Sequence, residues 1–382
     1  MKILFAAIPA YGHVYPLLPL ATACADAGHQ VTVAAGGPFL GRLPLPTVPG
    51  IPRGTEIGGV IDQTRRRHPD AHGRELTVAM FADTTAESVS GVLDGVLGDL
   101  RPDLVVYEAM NVGAAMAADV HEVPAVAFAI GMTTPAIDMI HTAARGFRAQ
   151  FWVSRGREVP SGDGLLGLAL IDPTPPSLAF TDGPPSVAQR LPIRSMAYAA
   201  DPSAVPDWLV VKRSRPAVYL TLGTVSFGAV DVIRRAVDQI AGLDVDVLVA
   251  VGPDGDPAGL GEAPANVHIE RFVPQARVLG LVDLIVHHGG TGTVLGAAAA
   301  GLPQLILPQG ADQFINADLI TRAGAGRSLR NDAQEGGAVT DAVSAMLGDC
   351  PERARAGQLR DEIAAMPAPE LVVPKLEGLA RG

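Results

Sequence analysis

Residues 286–293 read Val-His-His-Gly-Gly-Thr-Gly-Thr, and they join the apolar run Leu281 to Val286 to the alanine-rich segment Val294 to Ala300. This order predicts a buried strand, a glycine-rich turn and a helix. Glycines let backbone N–H groups approach an anion closely, and the positive end of the helix dipole faces the same point. The stretch therefore predicts a site for a phosphorylated ligand.

A second polar group follows the next predicted strand, in the sequence Pro308-Gln309-Gly310-Ala311-Asp312-Gln313. The acid–amide pair suggests that the ligand also carries hydroxyl groups. Taken separately, His288 could be a core histidine and Asp312 could belong to an ordinary turn. Their occurrence beside the glycine-rich turn favours a functional role for both.

Predicted strands and helices alternate in two series, which indicates an α/β protein with parallel sheets covered on both faces. The predicted strands are 3–8, 30–35, 104–107 and 125–129 in the first series, and 218–222, 245–251, 267–272, 284–287 and 304–307 in the second. We predict two Rossmann-like doubly wound domains facing a cleft, at residues 1–200 and 217–360, with a linker at 201–216 and a C-terminal segment at 361–382. Ligands bind beyond the carboxyl ends of such strands.

The composition excludes several classes of protein. The 382 residues carry a net charge of −11, which argues against a nucleic-acid partner and against adhesion to an anionic membrane. Apolar stretches fall short of the roughly 20 residues that span a bilayer, so no integral membrane segment is predicted. Lys2 to Pro9 resembles a core strand more than a signal peptide. The two cysteines, Cys24 and Cys350, favour a cytoplasmic protein.

Two residues of the first series are candidates for acid–base chemistry. His13 lies in the turn between the first strand and the first helix, where the helix dipole favours a neutral imidazole. Glu108 follows the strand 104–107 at the same edge of the sheet and could orient that imidazole. Taken alone, a histidine in such a turn is more often structural, and a carboxylate there is more often solvated.

Two further patterns favour a structural interpretation. Asp244-Val245-Asp246 resembles a metal-binding motif, but it opens an apolar strand and is predicted to mark the strand edge, so we predict no metal site. The basic run Arg65-Arg66-Arg67-His68 is predicted to be a solvated or mobile loop.

With these motifs in place, the chain resembles the GT-B fold glycosyltransferases, and in particular the bacterial natural-product enzymes that move deoxysugars from dTDP-sugars to polyketide and related aglycones. The resemblance covers most of the chain. Its motifs are Gly12-His13, Thr221-Leu222-Gly223-Thr224, Phe272-Val273-Pro274-Gln275, the run from His287 to Thr293, and Asp312-Gln313. The tail is similar to the terminal helix of the family, which typically crosses back to the first domain.

The resemblance implies roles for these residues. His13 would be the general base and Glu108 its orienting acid. The nucleotide-sugar donor would be bound by Gly223, Thr224, Phe272, Val273, His288, Gly289, Gly290, Gly292, Thr293, Asp312 and Gln313. Of these, His288 and Thr293 would contact the diphosphate, and Asp312 and Gln313 the hydroxyls of the sugar. No cofactor is implied beyond this co-substrate, a dTDP- or UDP-sugar.

Three residues depart from the pattern of the family. Glu108 replaces an aspartate, which lengthens the His–acid pair by one methylene. Phe272 stands where plant relatives have a tryptophan under the base. Gly296 stands where many users of UDP-sugars carry an acid for the ribose hydroxyls, which tilts the expected donor toward dTDP.

The acceptor is expected to be a largely apolar aglycone, contacted by first-domain loops at 55–85 and 131–160. The expected contact residues are Tyr11, Phe81, Met132, Met139, Phe147, Phe151 and Trp152. The leading hypothesis is thus a metal-independent, inverting glycosyltransferase that could form a homodimer. The alternatives are a nucleotide-sugar epimerase and a catalytically silent nucleotide-sugar-binding partner of a true transferase.

Overall fold

The structure is a computed structural model, and it describes residues 1–55, 57–132, 135–180, 189–198, 205–211, 213–223, 229–252 and 256–381. These residues form two compact units. The first contains Met1–Thr174, Ala179–Arg194 and Pro367–Gly382, and the second contains Pro175–Leu178 and Ser195–Met366.

The first unit is built on a parallel sheet. Its strands are β1 (Lys2–Ala6), β2 (Gln30–Ala35), β3 (Thr47–Pro49), β4 (Leu104–Glu108), β5 (Ala125–Phe128), β6 (Ala169–Asp172) and β7 (Arg190–Pro192). Its helices include α1 (Tyr11–Val14), α2 (Leu18–Asp26), α3 (Ile57–Arg67), α4 (Gly73–Ala79), α5 (Ala86–Leu100), α6 (Val112–Val120), α7 (Ala136–Phe147) and α8 (Ala149–Val153). A π-helical segment, Met80–Thr85, joins α4 to α5.

The strand order in this sheet is β3-β2-β1-β4-β5-β6-β7. Every residue of β4 is buried, as expected for a central strand of a parallel sheet with both faces covered. The order reverses between β1 and β4, which are neighbours in the sheet although about a hundred residues separate them in sequence. A reversal of this kind opens a crevice beyond the carboxyl ends of the two strands. The turn with His13 and the end of β4 with Glu108 both lie there.

The second unit repeats this architecture. Its strands are β8 (Ala217–Thr221), β9 (Asp246–Ala250), β10 (Val267–Glu270), β11 (Leu284–His287), β12 (Gln304–Ile306) and β13 (Gly326–Ser328). Its helices are α9 (Asp207–Val210), α10 (Ala229–Ile240), α11 (Gln275–Val278), α12 (Thr291–Ala300), α13 (Gln313–Ala323), α14 (Ala338–Leu347) and α15 (Pro351–Ala365). The strand order is β10-β9-β8-β11-β12-β13, all parallel. The order reverses between β8 and β11, so Gly223 and His288 follow the two strands of this switch point.

The last helix, α16 (Pro369–Arg381), belongs to the first unit, where it packs on α2. Glu377 of α16 lies 3.1 Å from Nε2 of His29 and forms an ion pair with it when that histidine is protonated. The predicted segment 361–382 is thus divided between the two units. Residues up to Ala365 complete α15 in the second unit, and the proline-rich turn after Met366 begins α16.

The predicted fold class, α/β with two doubly wound parallel sheets, is confirmed. Two local predictions are wrong. The segments 55–85 and 131–160 were expected to be loops, yet their described residues are largely helical, in α3, α4, the π-helical segment, α7 and α8. The basic run was expected to be a solvated or mobile loop, but Arg65 to Arg67 end α3, and Arg67 and His68 contact Asp83.

Candidate active site

A histidine–carboxylate pair lies at the switch point of the first unit. Nδ1 of His13 is 3.0 Å from Oε1 of Glu108, whose side chain is fully buried while that of His13 remains 20% exposed. The other oxygen of Glu108 accepts a hydrogen bond of 2.8 Å from the N–H of Met110. A buried carboxylate at Nδ1 favours the tautomer with the proton on that atom, so Nε2 is the basic nitrogen. The additional methylene of glutamate thus does not prevent the pair from forming.

A second histidine, which the sequence did not single out, supports the turn after β4. His141 of α7 is fully buried, and its Nε2 lies 2.8 Å from the carbonyl oxygen of Ala109, next to Glu108. Its Nδ1 accepts a hydrogen bond of 3.0 Å from the N–H of Leu166. Burial lowers the pKa of His141 to about 4, so this imidazole is neutral at physiological pH. Its fixed tautomer holds the backbone that carries Glu108.

Of the predicted acceptor residues, Phe81 lies beside His13, and Tyr11 packs on neighbouring aromatic rings. The ring of Phe81, in the π-helical segment, lies 6.2 Å from the imidazole between centroids. Tyr11 packs edge to face on Phe39, at 5.1 Å, and on Tyr15, at 5.3 Å; these two residues were not predicted.

The remaining predicted acceptor residues divide into two groups. Met139 and Phe147 are 40% and 45% exposed, whereas Met132 is buried at 8%. The prediction for Trp152 is wrong, because its side chain is fully buried in the hydrophobic core of the first unit, to which the buried Phe151 also belongs. Trp152 is fully buried, and its indole N–H donates to Asp119 at 2.8 Å. The side chain of Trp152 is enclosed on all sides and cannot contact an acceptor.

The glycine-rich turn of the second unit leads into α12, which begins at Thr291, three residues earlier than predicted. Gly290 is the N-cap, and within the described part of the chain no side chain caps this end of the helix. Gly290, Thr291 and Gly292 therefore present backbone at the positive end of a ten-residue helix. An uncapped helix N-terminus at the carboxyl edge of a parallel sheet is suited to bind an anion.

The imidazole of His288 lies between two of the predicted donor-binding glycines. A β-carbon at Gly223 would stand 2.6 Å from its Cε1, and one at Gly290 would overlap its Nε2. Gly289 has a φ of +94°, which other residues rarely adopt. Gly223 and Gly290 therefore make room for the His288 ring. Thr224, the fourth member of the predicted 221–224 motif, lies outside the described residues.

Burial lowers the pKa of His288 to about 4, although Asp312 and a hydrogen bond with the backbone of Thr221 oppose this shift. The imidazole is thus neutral at physiological pH and offers one N–H donor rather than a positive charge. Its Nδ1 is buried and has no hydrogen-bond partner among the described residues. The neighbouring His287 differs, since Nε2 lies 3.0 Å from Gln304 and Nδ1 accepts from the N–H of Gly289. His287 is a structural residue that shapes the turn.

The acid–amide pair on the next turn is partly engaged within the protein. Asp312 accepts hydrogen bonds of 2.6 Å from Thr291 Oγ1 and 2.9 Å from Asn316 Nδ2, while its side chain stays exposed. Oε1 of the buried Gln313 accepts from the N–H groups of Gln309 and Gly310. Asn316, which the sequence did not single out, lies one turn after Asp312 and orients it.

The remaining predicted donor residues are Thr293, which lies on α12, and Phe272 and Val273, which lie between β10 and α11. Thr293 is buried, and its hydroxyl lies 3.2 Å from Oε1 of Gln275 at the start of α11. Phe272 is 46% exposed in the segment after β10, and Val273 is buried. A β-carbon at Gly296 would lie 3.1 Å from Cδ1 of Leu279, so this position is also closely packed.

The two acids of the metal-like motif lie at a strand edge. Asp246 begins β9 and accepts a hydrogen bond of 2.7 Å from Arg215, while Asp244 is 90% exposed. In the part of the chain that the structure describes, no cluster of three or more His, Cys, Asp or Glu side chains could hold a metal ion. Likewise, none of the described helices has the length and apolar composition needed to cross a bilayer.

Two doubly wound parallel units, one with a His–carboxylate pair and one with a glycine-rich turn before a helix, define the class of GT-B glycosyltransferases. Residues 22–223 match the model of the N-terminal domain of the family described as erythromycin biosynthesis protein CIII-like, and residues 234–379 match that of its C-terminal domain. The chain belongs to this family of natural-product glycosyltransferases.

Individual relatives cover the chain from end to end. L-demethylnoviosyl transferase of Streptomyces niveus is 34% identical over 100% of this chain and 98% of its own. SsfS6, a glycosyltransferase of Streptomyces sp. SF2575 solved with thymidine diphosphate, is 26% identical, with a TM-score of 0.82 over 99% of both chains. Spinosyn rhamnosyltransferase SpnG, solved with spinosyn aglycone, is 27% identical, with a TM-score of 0.82 over 99% of this chain and 100% of its own. These are transferases by name, and nothing here supports the epimerase alternative.

Proposed function

We propose that this protein is an inverting glycosyltransferase that moves a deoxysugar from a dTDP-sugar to a hydroxyl group of a largely apolar natural-product aglycone. The observation that carries the proposal is the His13–Glu108 pair at the switch point of the first unit, where the apolar ring of Phe81 lies beside His13. In its neutral form His13, oriented through Nδ1, has the tautomer that a general base requires.

The chemistry follows from these two residues. Nε2 of His13 takes the proton of the acceptor hydroxyl as the oxygen forms a bond to the anomeric carbon. The bond between that carbon and the diphosphate oxygen breaks, and the nucleoside diphosphate leaves with the electron pair. Attack from the face opposite the leaving group inverts the anomeric centre. Buried Glu108 stabilises the imidazolium that forms, as an orienting carboxylate does in a hydrolase triad.

The donor is proposed to bind the second unit. The start of α12 and the neutral imidazole of His288 would donate hydrogen bonds to the diphosphate, whose charge grows as the bond breaks. Asp312, held by Thr291 and Asn316, keeps an exposed carboxylate for the hydroxyls of the sugar. Exposed Phe272 would lie against the base. The thymidine diphosphate bound to SsfS6 supports a thymidine nucleotide.

No cofactor or metal is assigned a step in this proposal, because the helix end and the side chains meet the charge of the diphosphate. The proposed location is the cytoplasm, since both cysteines are free and buried, as is usual in a reducing compartment.

A panel of aglycones incubated with matched dTDP- and UDP-sugars tests the proposal. We expect mass spectrometry to detect a deoxysugar adduct on an apolar aglycone, and we expect the anomeric coupling constant of the product to show inversion. Binding of the donor without transfer to any aglycone would favour the silent-partner alternative, and retention of configuration would exclude the mechanism.

A further inference from the structure

A cluster of charged side chains lies on one side of the π-helical segment of the first unit and includes Asp83 of that segment. The Asp83 carboxylate is 11% exposed, and its oxygens lie 2.9 Å from Nε2 of His68, 3.3 Å from Nη1 of Arg148 and 3.6 Å from Nη1 of Arg67. Glu87 completes the cluster, because it pairs with Arg67 and, at 3.1 Å, with Arg148. Asp83 thus connects the end of α3, the π-helical segment and the junction between α7 and α8.

The same π-helical segment, Met80–Thr85, carries Phe81 over the proposed base. The Phe81 ring lies 6.2 Å from the His13 imidazole between centroids, and the two planes are inclined by 31°. Residues two positions apart on a helical segment do not share a face, so the charged cluster and the aromatic contact lie on different sides of it. A π-helical turn is rare and is frequently found at functional sites. Here the π-helical segment has the charged cluster on one side and Phe81, which lies near His13, on another.

The cluster is well suited to fix this segment. A partly buried carboxylate that meets two guanidinium groups and an imidazole is held more strongly than an exposed surface pair. Removal of the charge of Asp83 would leave Arg148 and Arg67 paired with Glu87 alone and would take from His68 its carboxylate partner, so the segment would be free to shift. A shift of a fraction of an ångström in Phe81 would alter both the contact with His13 and the shape of the surface that binds the acceptor.

We propose that Asp83 is a positioning residue, which acts through the π-helical segment to hold Phe81 over the imidazole of His13 and thereby fixes the orientation of the acceptor. The effect on the acceptor rests on the proposed function. The effect on His13 does not rest on the proposed function, and it can be measured without any substrate.

The first experiment uses the free protein with histidine labelled at ¹³Cε1, with the His13 resonance assigned from His13→Asn. The Phe81 ring shifts the His13 resonance, so Phe81→Leu should move it, and Asp83→Asn should move it in the same direction. The matched control is Asp94→Asn, because Asp94 also pairs with an arginine and a histidine, Arg155 and His121, but from the middle of α5. The control should leave the His13 resonance in place.

A His13 resonance that responds to Phe81→Leu but not to Asp83→Asn would overturn the proposal, as would one that ignores Phe81→Leu or that moves equally in Asp94→Asn. These results are independent of catalysis. A wild-type protein that transfers no sugar to any acceptor would instead contradict the proposed function.

The second experiment is a double-mutant cycle on the KM for the acceptor. Asp83→Asn should raise this KM about tenfold in the wild-type background and by less than about twofold in the Phe81→Leu background, since the route through Phe81 is then absent. Asp83→Asn should not change the affinity for dTDP in either background. Equal effects in both backgrounds would overturn the proposal. If Asp83→Asn does not fold, Arg148→Gln, which removes one ion pair, takes its place in both experiments.

Discussion

The backbone of Gly223 lies directly against the imidazole of His288, so close that a β-carbon on the glycine would stand 2.6 Å from Cε1 of the histidine. Gly223 also has a φ of +82°, where other residues are strained. Both residues follow the two strands at the switch point of the second unit. A glycine after one strand is therefore required by a histidine after the other.

The first prediction follows from this contact. Gly223→Ala should displace His288 and weaken dTDP binding about tenfold, measured by calorimetry. The control is Gly242→Ala, because a β-carbon at Gly242 would meet no atom within 4 Å. Unchanged affinity in Gly223→Ala would show that the position of His288 does not matter for the nucleotide.

The second prediction concerns the base. His13→Ala should lower kcat by at least about 10²-fold, the range expected when a general base is lost, with dTDP affinity nearly unchanged. Glu108→Gln retains a hydrogen-bond acceptor for Nδ1 but removes the charge, and should lower kcat by less. The exposed His72 gives a control, His72→Ala, with wild-type turnover. Wild-type turnover in His13→Ala would remove this residue from the mechanism.

The third prediction concerns metal ions. Activity should survive EDTA, because the proposed diphosphate site uses the start of α12 and His288. Steady-state rates before and after chelation, with Mg²⁺ or Mn²⁺ added back, make the measurement. A loss of activity that added metal restores would contradict it.

The fourth prediction concerns pH and stability. Burial lowers the pKa of His141 and His288 to about 4 and that of His287 to about 3, below the ordinary value near 6.5. Between these values the unfolded chain binds more protons than the folded protein, so stability is lost as pH falls through this window. The thermal midpoint should therefore decrease from pH 7 to pH 5.5. A midpoint that stays level or rises would contradict the burial of these neutral imidazoles.

The fifth prediction concerns the choice of donor. In competition kinetics, dTDP-glucose should outcompete UDP-glucose, because Gly296 has no acid for the ribose hydroxyls. Gly296→Glu should shift this ratio about tenfold toward UDP-glucose, as expected for a charge-assisted hydrogen bond of about 1.5–3 kcal/mol. Gly296→Ala makes the same close contact with Leu279 without the carboxylate, so it separates packing from recognition. A clear preference of the wild type for UDP-glucose would contradict the role of Gly296.

The fold could be predicted from the sequence because buried parallel strands such as β4 and β8 are continuous apolar runs. The two switch points could not, since strand order is a tertiary property. It is the neighbouring of β1 with β4 that brings His13 to Glu108 across 95 residues. The sequence placed both residues at the correct edge, and the sheet order supplies their contact.

The acceptor side was harder to predict. Glycine disfavours helix, and Gly58 and Gly59 obscure α3 in the sequence. The partner that makes Arg67 part of a folded cluster is Asp83, on another element. Trp152 is predicted to contact the acceptor because the sequence identifies no packing partner for an aromatic residue in a predicted loop. Its hydrogen bond to Asp119, 33 residues earlier, shows that it belongs to the core.

The return of α16 to the first unit has a consequence for protein engineering. A chimera that exchanges the second unit with that of a relative should be cut at 194/195 and again at 366/367, and should also exchange Pro175–Leu178, rather than be joined once at the middle of the chain. A single cut would replace α16 and with it the partner of α2, including Glu377 opposite His29. These cuts preserve that packing, so a changed donor preference could be tested on an unaltered first unit.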